Sequence, residues 1–476
     1  MQSKILAKVA VLTAAMLAVN ACATLNSVKD TFIGGNSGAN GPERLAGFIG
    51  TVVADEPRAA LAGREVLALG GTAADAAVAT MLTLAVTLPS RAGLGAGGAC
   101  LAYNPSRDGP GQGSPEAIMF TPVAGQSTTG ADRPAAVPML ARGAFALHAR
   151  YGKLPFEGLV SGPEQLARFG VPISRVLVRD LALVAGPLAT DPNARAVFAP
   201  GGVPLTEGGT LTQPDLGATL STLRTAGVGD LYQGGLARRL EAASRLAGGP
   251  LSLDEMRGAL PRTGNPLVVR AGRDMVAFLP PPADGGLAAA AGFQVLQQSP
   301  TDTAGAQARA LGAVARWRAG GGTAEQVLAS GATGGAPGQM AASTSLAVLD
   351  REGNAVTCAL TMDNLFGTGR IAPGTGILLA ASPRSTGLPL LSAALAWNAN
   401  LRGFRAAVGG SGQEGAALAV AVGMNNALRS TAAMPAPVPE PGRANAVSCA
   451  RYLPDNESSC SWATDPRGFG LAASGN

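Results

Sequence analysis

The stretch Ala341–Val356, AASTSLAVLDREGNAV, constrains this chain more than any other. Apolar residues run through Leu346, Val348 and Leu349, Asp350 to Asn354 form a polar run containing Gly353, and AVTCAL follows. Two apolar runs about a short Gly-containing turn predict a β-hairpin. Three hydroxyl residues, Ser343, Thr344 and Ser345, stand at the start of the first strand. They are either ordinary strand-edge polar residues or they include a nucleophile fixed on a rigid element.

The rest of the inventory narrows the chemistry. The chain has one histidine, His148, in LHARYGKLP. A Ser-His-Asp arrangement would have to use it, yet its position at the end of an amphipathic helical pattern predicts a surface residue. There is no HExxH, CxxC or histidine cluster, so no zinc site is expected. The glycine-rich run GLGAGG, Gly93 to Gly98, lacks the Lys and Ser/Thr of a phosphate-binding loop, and no cofactor is called for. A hydrolase built from this chain needs a mechanism without histidine or metal. A Ser, Thr or Cys at a newly exposed N-terminus supplies one, because its own α-amine, with a pKa of about 7.7–8, serves as general base. Internal cleavage must first reveal such a residue.

At 476 residues the chain can bury a large core or form two lobes. Charged residues are 14%, against roughly 25% in an average soluble domain, so Gly, Ala, Ser and Thr must cover much of the surface. The net charge of +5 includes Lys4 and Lys8, aromatics are 4%, and no basic stripe with interleaved aromatics occurs. A nucleic-acid partner is therefore not expected.

The N-terminus, MQSKILAKVAVLTAAMLAVNACATLNS, has a basic start and an apolar stretch from Val9 to Val19. That stretch is shorter than the roughly 20 residues of a membrane span. It resembles a bacterial secretory signal, and V-N-A-C, ending at Cys22, resembles a lipobox. The expectation is a lipoprotein-type signal peptide over 1–21, lipidation of Cys22 and a flexible tether over 22–44. The protein would then sit in the bacterial cell envelope, periplasmic, with membrane contact through the lipid anchor only. An ordinary signal peptide cut near Ala21 or Ala23 is the alternative. An exported protein keeps disulfides. Cys449 and Cys460, close together in a polar tail, are the expected pair, whereas Cys100 and Cys358, in apolar runs, are expected as buried thiols.

Several segments in order carry a family resemblance. They are Arg64 to Tyr103 (REVLALGGTAADAAVATMLTLAVTLPSRAGLGAGGACLAY), HARYGKLPFEGLV, Gly208 to Leu240 with its QPDL and LYQG, and Phe278 to Leu296 with PPPADGG. LAVLDREGNAV, Phe366 to Leu379 (FGTGRIAPGTGILL) and the tail ATDPRGFGLAASG follow. Together they resemble the gamma-glutamyltranspeptidase family, also called gamma-glutamyltransferases or glutathione hydrolases, which are self-cleaving N-terminal-nucleophile hydrolases. The resemblance implies an α+β fold, a four-layer αββα sandwich. It also implies one domain made of a large-subunit region, 45–342, and a small-subunit region, 343–476, with a short C-terminal tail.

The family motif Thr-Thr-His-x-Ser-Val-x-Asp-x-x-Gly-Asn-Ala-Val, anchored on Asp350 to Val356, puts the nucleophilic position at Ser343 and the second Thr at Thr344, with Ser345 at the motif's His. By the same resemblance Thr361 is the Thr that hydrogen-bonds the nucleophile. Asp363 replaces an Asn that holds the substrate amino group. Gly412 and Gln413, in GGSGQEG, stand for the pair of glycines whose N–H groups bind the oxyanion. Ser385, in AASPRS, falls where the family has an acidic Asp, and Ser392 is what remains of a serine-rich carboxylate contact. Thr121, in IMFTPVAG, stands where the family's carboxylate-binding Arg belongs. A bidentate Arg–carboxylate contact is much stronger than a hydroxyl contact, and Arg91 or Arg370 is the substitute to look for.

The leading expectation is thus a gamma-glutamyl hydrolase or transferase, processed before Ser343 and acting on glutathione-like small molecules through an acyl-enzyme. An amidase of different acyl specificity, or a catalytically degenerate envelope binding or structural lipoprotein, is the alternative, because function lives in the site and not in the family.

Overall fold

The hairpin lies at the centre of a seven-stranded antiparallel sheet. Its spatial order is β13 (Leu471–Gly475), β1 (Gly50–Ala54), β7 (Ser343–Asp350), β8 (Ala355–Thr361), β2 (Gly97–Tyr103), β3 (Glu116–Phe120) and β4 (Arg262–Gly264). The computed structural model describes residues 44–45, 47–126, 131–334, 342–386, 388–430, 432–435 and 438–475, with the side chains of 385 and 386 excepted. The expected signal peptide, Cys22 and nearly all of the tether lie outside the described residues. Ala46–Asn476 forms one unit.

A second antiparallel sheet has the order β12 (Cys460–Thr464), β11 (Arg443–Leu453), β10 (Gly403–Ser411), β9 (Ser392–Asn398), β6 (Asp274–Phe278) and β5 (Leu267–Ala271). It faces the first sheet, with β7 and β8 lying against β9, β10 and β11. Val53, Leu101, Leu349, Leu395, Phe404 and Val447 fill the space between them. Strand residues alternate faces, yet all eight residues of β7 and all seven of β8 are buried. A strand buried on both faces needs cover on the outside as well.

Helices supply that cover. On the first sheet these are α1 (Pro57–Ala68), α2 (Ala73–Thr87), the short α3 (Pro89–Ala92) and α4 (Leu140–Tyr151). Flanking them is α5 (Arg175–Leu188). On the second sheet lie α6 (Gly285–Gln298) and α9 (Gly415–Arg429), backed by α7 (Thr303–Arg318); the short α8 (Pro383–Thr386) precedes β9 in the chain. The four layers are those of the αββα sandwich.

Helix α2 shows how a buried helix is built from this composition. Every one of its residues is buried, and the sequence is Ala-rich with Thr80, Thr83 and Thr87 inside it. Those hydroxyls bond to the carbonyls of Ala76, Ala79 and Thr83 at 2.8, 2.8 and 3.1 Å, so no polar atom is stranded. Thr72 and Asp75 form a capping box at its start.

The same helix explains the DREGN turn. Asp350 Oδ1 accepts from the N–H groups of Glu352 and Asn354, and Oδ2 accepts from Asn354 Nδ2 and from the Ala73 N–H at the start of α2. A carboxylate at a helix N-terminus is favoured by the helix dipole. Gly353 sits at φ 83°, a conformation that glycine adopts without strain.

Two sequence expectations need correction. Cys100 and Cys358 are not free thiols, because the β2–β8 register sets them opposite each other, with Cα atoms 4.1 Å apart, and they form a disulfide. Their apolar neighbours reflect burial and say nothing about pairing. Cys449 and Cys460 form the second disulfide, across β11 and β12. His148 is half-buried and not a surface residue. Its Nε2 lies 2.6 Å from the Leu154 carbonyl and 3.6 Å from Asp75 Oδ1, so it serves the packing of α4 against α2.

Candidate active site

Ser343 is the first residue of β7, paired with Thr361 at the end of β8, which is paired in turn with Gly97 at the start of β2. The hydroxyls that open the hairpin therefore sit at one end of the sandwich. Ser343 is 1% exposed, and its Oγ accepts from the Gly412 N–H at 3.0 Å and the Gln413 N–H at 3.4 Å. These two donors lie where β10 of the second sheet gives way to α9. Gly412 has φ 98°, and a Cβ there would stand 2.1 Å from the Pro441 carbonyl oxygen. Only glycine fits. Gln413 is also left-handed, at φ 53°, and the turn it completes aims both N–H groups at Ser343.

Thr361 Oγ1 donates to the carbonyl oxygen of Ala342 at 2.9 Å and accepts from the Asp363 N–H at 2.8 Å. The resemblance assigned Thr361 to the nucleophile's hydroxyl; in the uncut chain it holds instead the carbonyl of the Ala342–Ser343 peptide bond. Ser343 Oγ meets the Gly412 and Gln413 N–H groups of the second sheet, whereas Thr361 Oγ1 reaches the carbonyl of the residue before Ser343. Thr344 points the other way, as its place in a strand requires, and its hydroxyl donates to Asp55 Oδ2 at 2.8 Å. The Ser345 N–H reaches the same oxygen at 3.2 Å. Asn445 Nδ2 completes the group, bonding Asp55 Oδ1 at 2.8 Å and Ser345 Oγ at 3.0 Å.

The remaining assigned residues fall on the β8, β2 and β3 side of Ser343 in the first sheet and the β9 side in the second. Asp363 is buried at φ 67°. Thr121 directly follows β3 and is half-buried. Ser392 opens β9, opposite Gly410, and its hydroxyl donates to the Leu390 carbonyl at 3.0 Å. Ser385 lies in α8. Arg91 does not replace the missing arginine, being held by both oxygens of Asp180 at 2.7 and 2.8 Å. Arg370 is paired with Asp132 at 2.7 Å.

On this flank the structure adds Arg318. It donates to both oxygens of Asp284 at 2.8 and 3.2 Å and to the Leu388 carbonyl at 2.6 Å. Burial opposes its charge, but the Asp284 hydrogen bond and the charges of Asp284, Glu414 and Asp363 outweigh this and raise its pKa. Arg318, Asp284, Arg384 and Leu388 border a cavity of about 410 Å³. A larger cavity of about 550 Å³ lies on the opposite flank, bordered by Asp55, Arg91, Arg179, Asp180, Arg443 and Phe469. Among the described residues no group of three or more His, Cys, Asp or Glu could hold a metal ion, and no helix is long and apolar enough to cross a membrane.

Asp55, Asn445 and Arg318 were missed by the sequence reading. Asp55 alone left a local signal, a carboxylate directly after the apolar run GTVVA. The other two are brought in by strand order and helix packing.

The sandwich is that of the N-terminal-nucleophile hydrolases. Over 92% of this chain and 98% of its own, a solved cephalosporin acylase from Bacillus halodurans superposes with a TM-score of 0.72 at 19% identity, which speaks for the fold. The gamma-glutamyltranspeptidase family model matches residues 59–317, more than half of the chain, and the chain belongs to that family as a divergent member. Glutathione hydrolase 3 of Arabidopsis thaliana is 31% identical over 245 residues, 50% of this chain and 38% of that protein. The acylase ACY 1 proenzyme of Pseudomonas sp. (strain SE83) is 33% identical over 214 residues, 41% of this chain and 38% of that protein. The chain thus spans about two-fifths of the length of these curated relatives. The family-model match ends before the hairpin, so the nucleophile region rests on geometry.

Proposed function

We propose that the chain cuts itself between Ala342 and Ser343 and then cleaves gamma-glutamyl-type amide bonds through an ester on Ser343. One observation carries this reading: Ser343 Oγ is held by two backbone N–H groups while Thr361 Oγ1 holds the carbonyl oxygen of the preceding residue. In the first reaction Ser343 Oγ attacks the Ala342 carbonyl carbon, and Thr361 stabilises the charge that develops on its oxygen. The C–N bond breaks, the nitrogen takes the hydroxyl proton, and an ester remains. Water hydrolyses it, releasing the Ala342 carboxylate and a Ser343 with a free α-amine and hydroxyl.

In the second reaction that amine is the general base. Oγ attacks the substrate amide, and the oxyanion forms beside the Gly412 and Gln413 N–H groups. The amine half leaves with the proton, and water or another amine resolves the acyl-enzyme. Asp363 supports the acyl group's ammonium from the β8 side, and Arg318 and Arg384 are the cations on that flank.

An amidase of different acyl specificity is the second reading, favoured by Thr121 in place of an arginine and by the commitment of the Ser392 hydroxyl to Leu390. Comparing hydrolysis of a gamma-glutamyl anilide with that of acyl anilides lacking the α-amino and α-carboxyl groups separates the two. Preference for the gamma-glutamyl compound supports the first, and indifference or the reverse overturns it. An envelope lipoprotein anchored at Cys22 belongs to the same reading, tested by the mass of the mature N-terminal peptide.

A further inference from the structure

Self-cleavage would remove half of what holds Ser343. In the uncut chain Ala342 is fully buried with its carbonyl on Thr361, and the peptide bond passes that hold on to Ser343. Once the bond is cut, Ser343 is the end of a strand, and chain ends fray unless they are tied down. Its Oγ stays beside the Gly412 and Gln413 N–H groups only if the residues that follow it are fixed.

The backbone phase of β7 says where that fixing comes from. The Asp350 N–H bonds the Asn354 carbonyl, and the β7–β8 register runs unbroken from Leu349 opposite Ala355 to Ser343 opposite Thr361. Alternation in an antiparallel pair then turns the N–H and C=O of even-numbered residues toward β8, and those of odd-numbered residues toward β1. Two contacts agree with this phase: the Ala342 carbonyl reaches Thr361, and the Ser345 N–H reaches Asp55. The Ser343 nitrogen, the future α-amine, therefore leaves β7 on the β1 edge.

β1 pairs with β7 only as far as Ala54, opposite Leu346. Past that point the Asp55 side chain takes the place of a strand. Its Oδ2 accepts from the Thr344 hydroxyl at 2.8 Å and from the Ser345 N–H at 3.2 Å. Its Oδ1 accepts at 2.8 Å from Asn445 Nδ2, which also donates to the Ser345 carbonyl at 3.1 Å and to Ser345 Oγ at 3.0 Å. Hydrogen bonds to a carboxylate are about twice as strong as neutral ones. Thr344, Ser345 and Asn445 are buried and Asp55 is 9% exposed, so water competes little. None of these contacts involves Ala342, and the cut leaves all of them in place.

We propose that Asp55 is the positioning residue of the nucleophile: with Asn445 it grips Thr344 and Ser345, and so keeps Ser343 Oγ and the new α-amine aligned with Gly412 and Gln413 after the cut. It rests on the acyl-enzyme reading of Ser343. Before the cut Thr361 shares the task through Ala342, so the grip matters more to turnover than to self-cleavage.

The test follows self-cleavage and anilide hydrolysis in the full chain, with turnover counted per cut molecule. Asp55→Ala should lower kcat by about a hundredfold, the scale of an ångström's misplacement, with KM little changed. The cut should still go to completion at the same bond. Asp55→Asn keeps an acceptor oxygen for Thr344 and Ser345 and should recover most of the lost kcat. Thr344→Val removes only the hydroxyl that Asp55 holds. It should lower kcat by itself and have little further effect beside Asp55→Ala, because the two groups act through one contact. This second variant keeps the test alive if Asp55→Ala does not fold. An unchanged kcat in either variant, a loss carried by KM, effects that add, or a cut slowed as much as turnover overturns the proposal. With a wild type that is cut at Ser343 and active, such a result removes the positioning role alone. A wild type that stays whole and inactive overturns the acyl-enzyme reading and this one with it.

Discussion

The two ends of the β7–β8 hairpin are built on opposite terms. At the Asp350 end, one buried carboxylate receives four N–H donors and ties the turn to α2. At the Ser343 end, two backbone donors hold the Ser343 hydroxyl, Thr361 holds the Ala342 carbonyl, and Asp363 and Gln413 are in left-handed conformations. Such strain persists only where the surroundings enforce it, and it clusters at functional sites. On the proposed function, the far end serves stability and the near end chemistry. Substitutions at one end should move a property that substitutions at the other leave nearly alone.

The largest effect is expected at Ser343→Ala, which should abolish self-cleavage while the chain stays folded, read on a denaturing gel beside a melting curve. Thr344→Ala should still be cut at the same bond. Thr361→Val keeps shape and removes the hydroxyl on the Ala342 carbonyl; cleavage should slow by about a hundredfold, the usual scale for one oxyanion donor, in a maturation time course. Normal cleavage in this variant would remove Thr361 from the mechanism. At the far end, Asp350→Ala should cost roughly 2–4 kcal/mol by stranding buried N–H donors, seen as a lowered denaturant midpoint, with the cut position unchanged.

The smallest effect is in pH. Burial pushes the Asp350 carboxyl up to about 7 from 3.8, against the hydrogen bonds from Asn354 and Ala73. Between those values the folded state binds the proton more tightly than the unfolded chain. Its contribution is therefore fully present below about pH 4 and is lost as pH rises through about 7. Asp350→Asn should flatten that part of the pH–stability curve; an unchanged slope would place the titration elsewhere.

What could be read in the sequence was local or came through ordered family segments. The hairpin follows from alternation and a Gly-containing turn, and the αββα sandwich follows from the resemblance. The neighbours of Ser343 in space were harder. Gly412 was reachable through its matched loop, but Asp55 and Asn445 meet at Ser345 only because β1 lies beside β7 and β11 faces it. The Cys100–Cys358 bridge needed the β2–β8 register, which apolar runs do not specify. Thr361 was placed opposite Ser343 by the resemblance, and in the uncut chain its hydroxyl is taken by the Ala342 carbonyl.

The most direct measurement is the intact mass and N-terminal sequence of the purified, incubated protein. Self-cleavage at the assembled site yields two chains, one of them beginning at Ser343. A chain that stays whole, or one whose new N-terminus is Thr344 or any other residue, contradicts the assignment of Ser343 as the nucleophile.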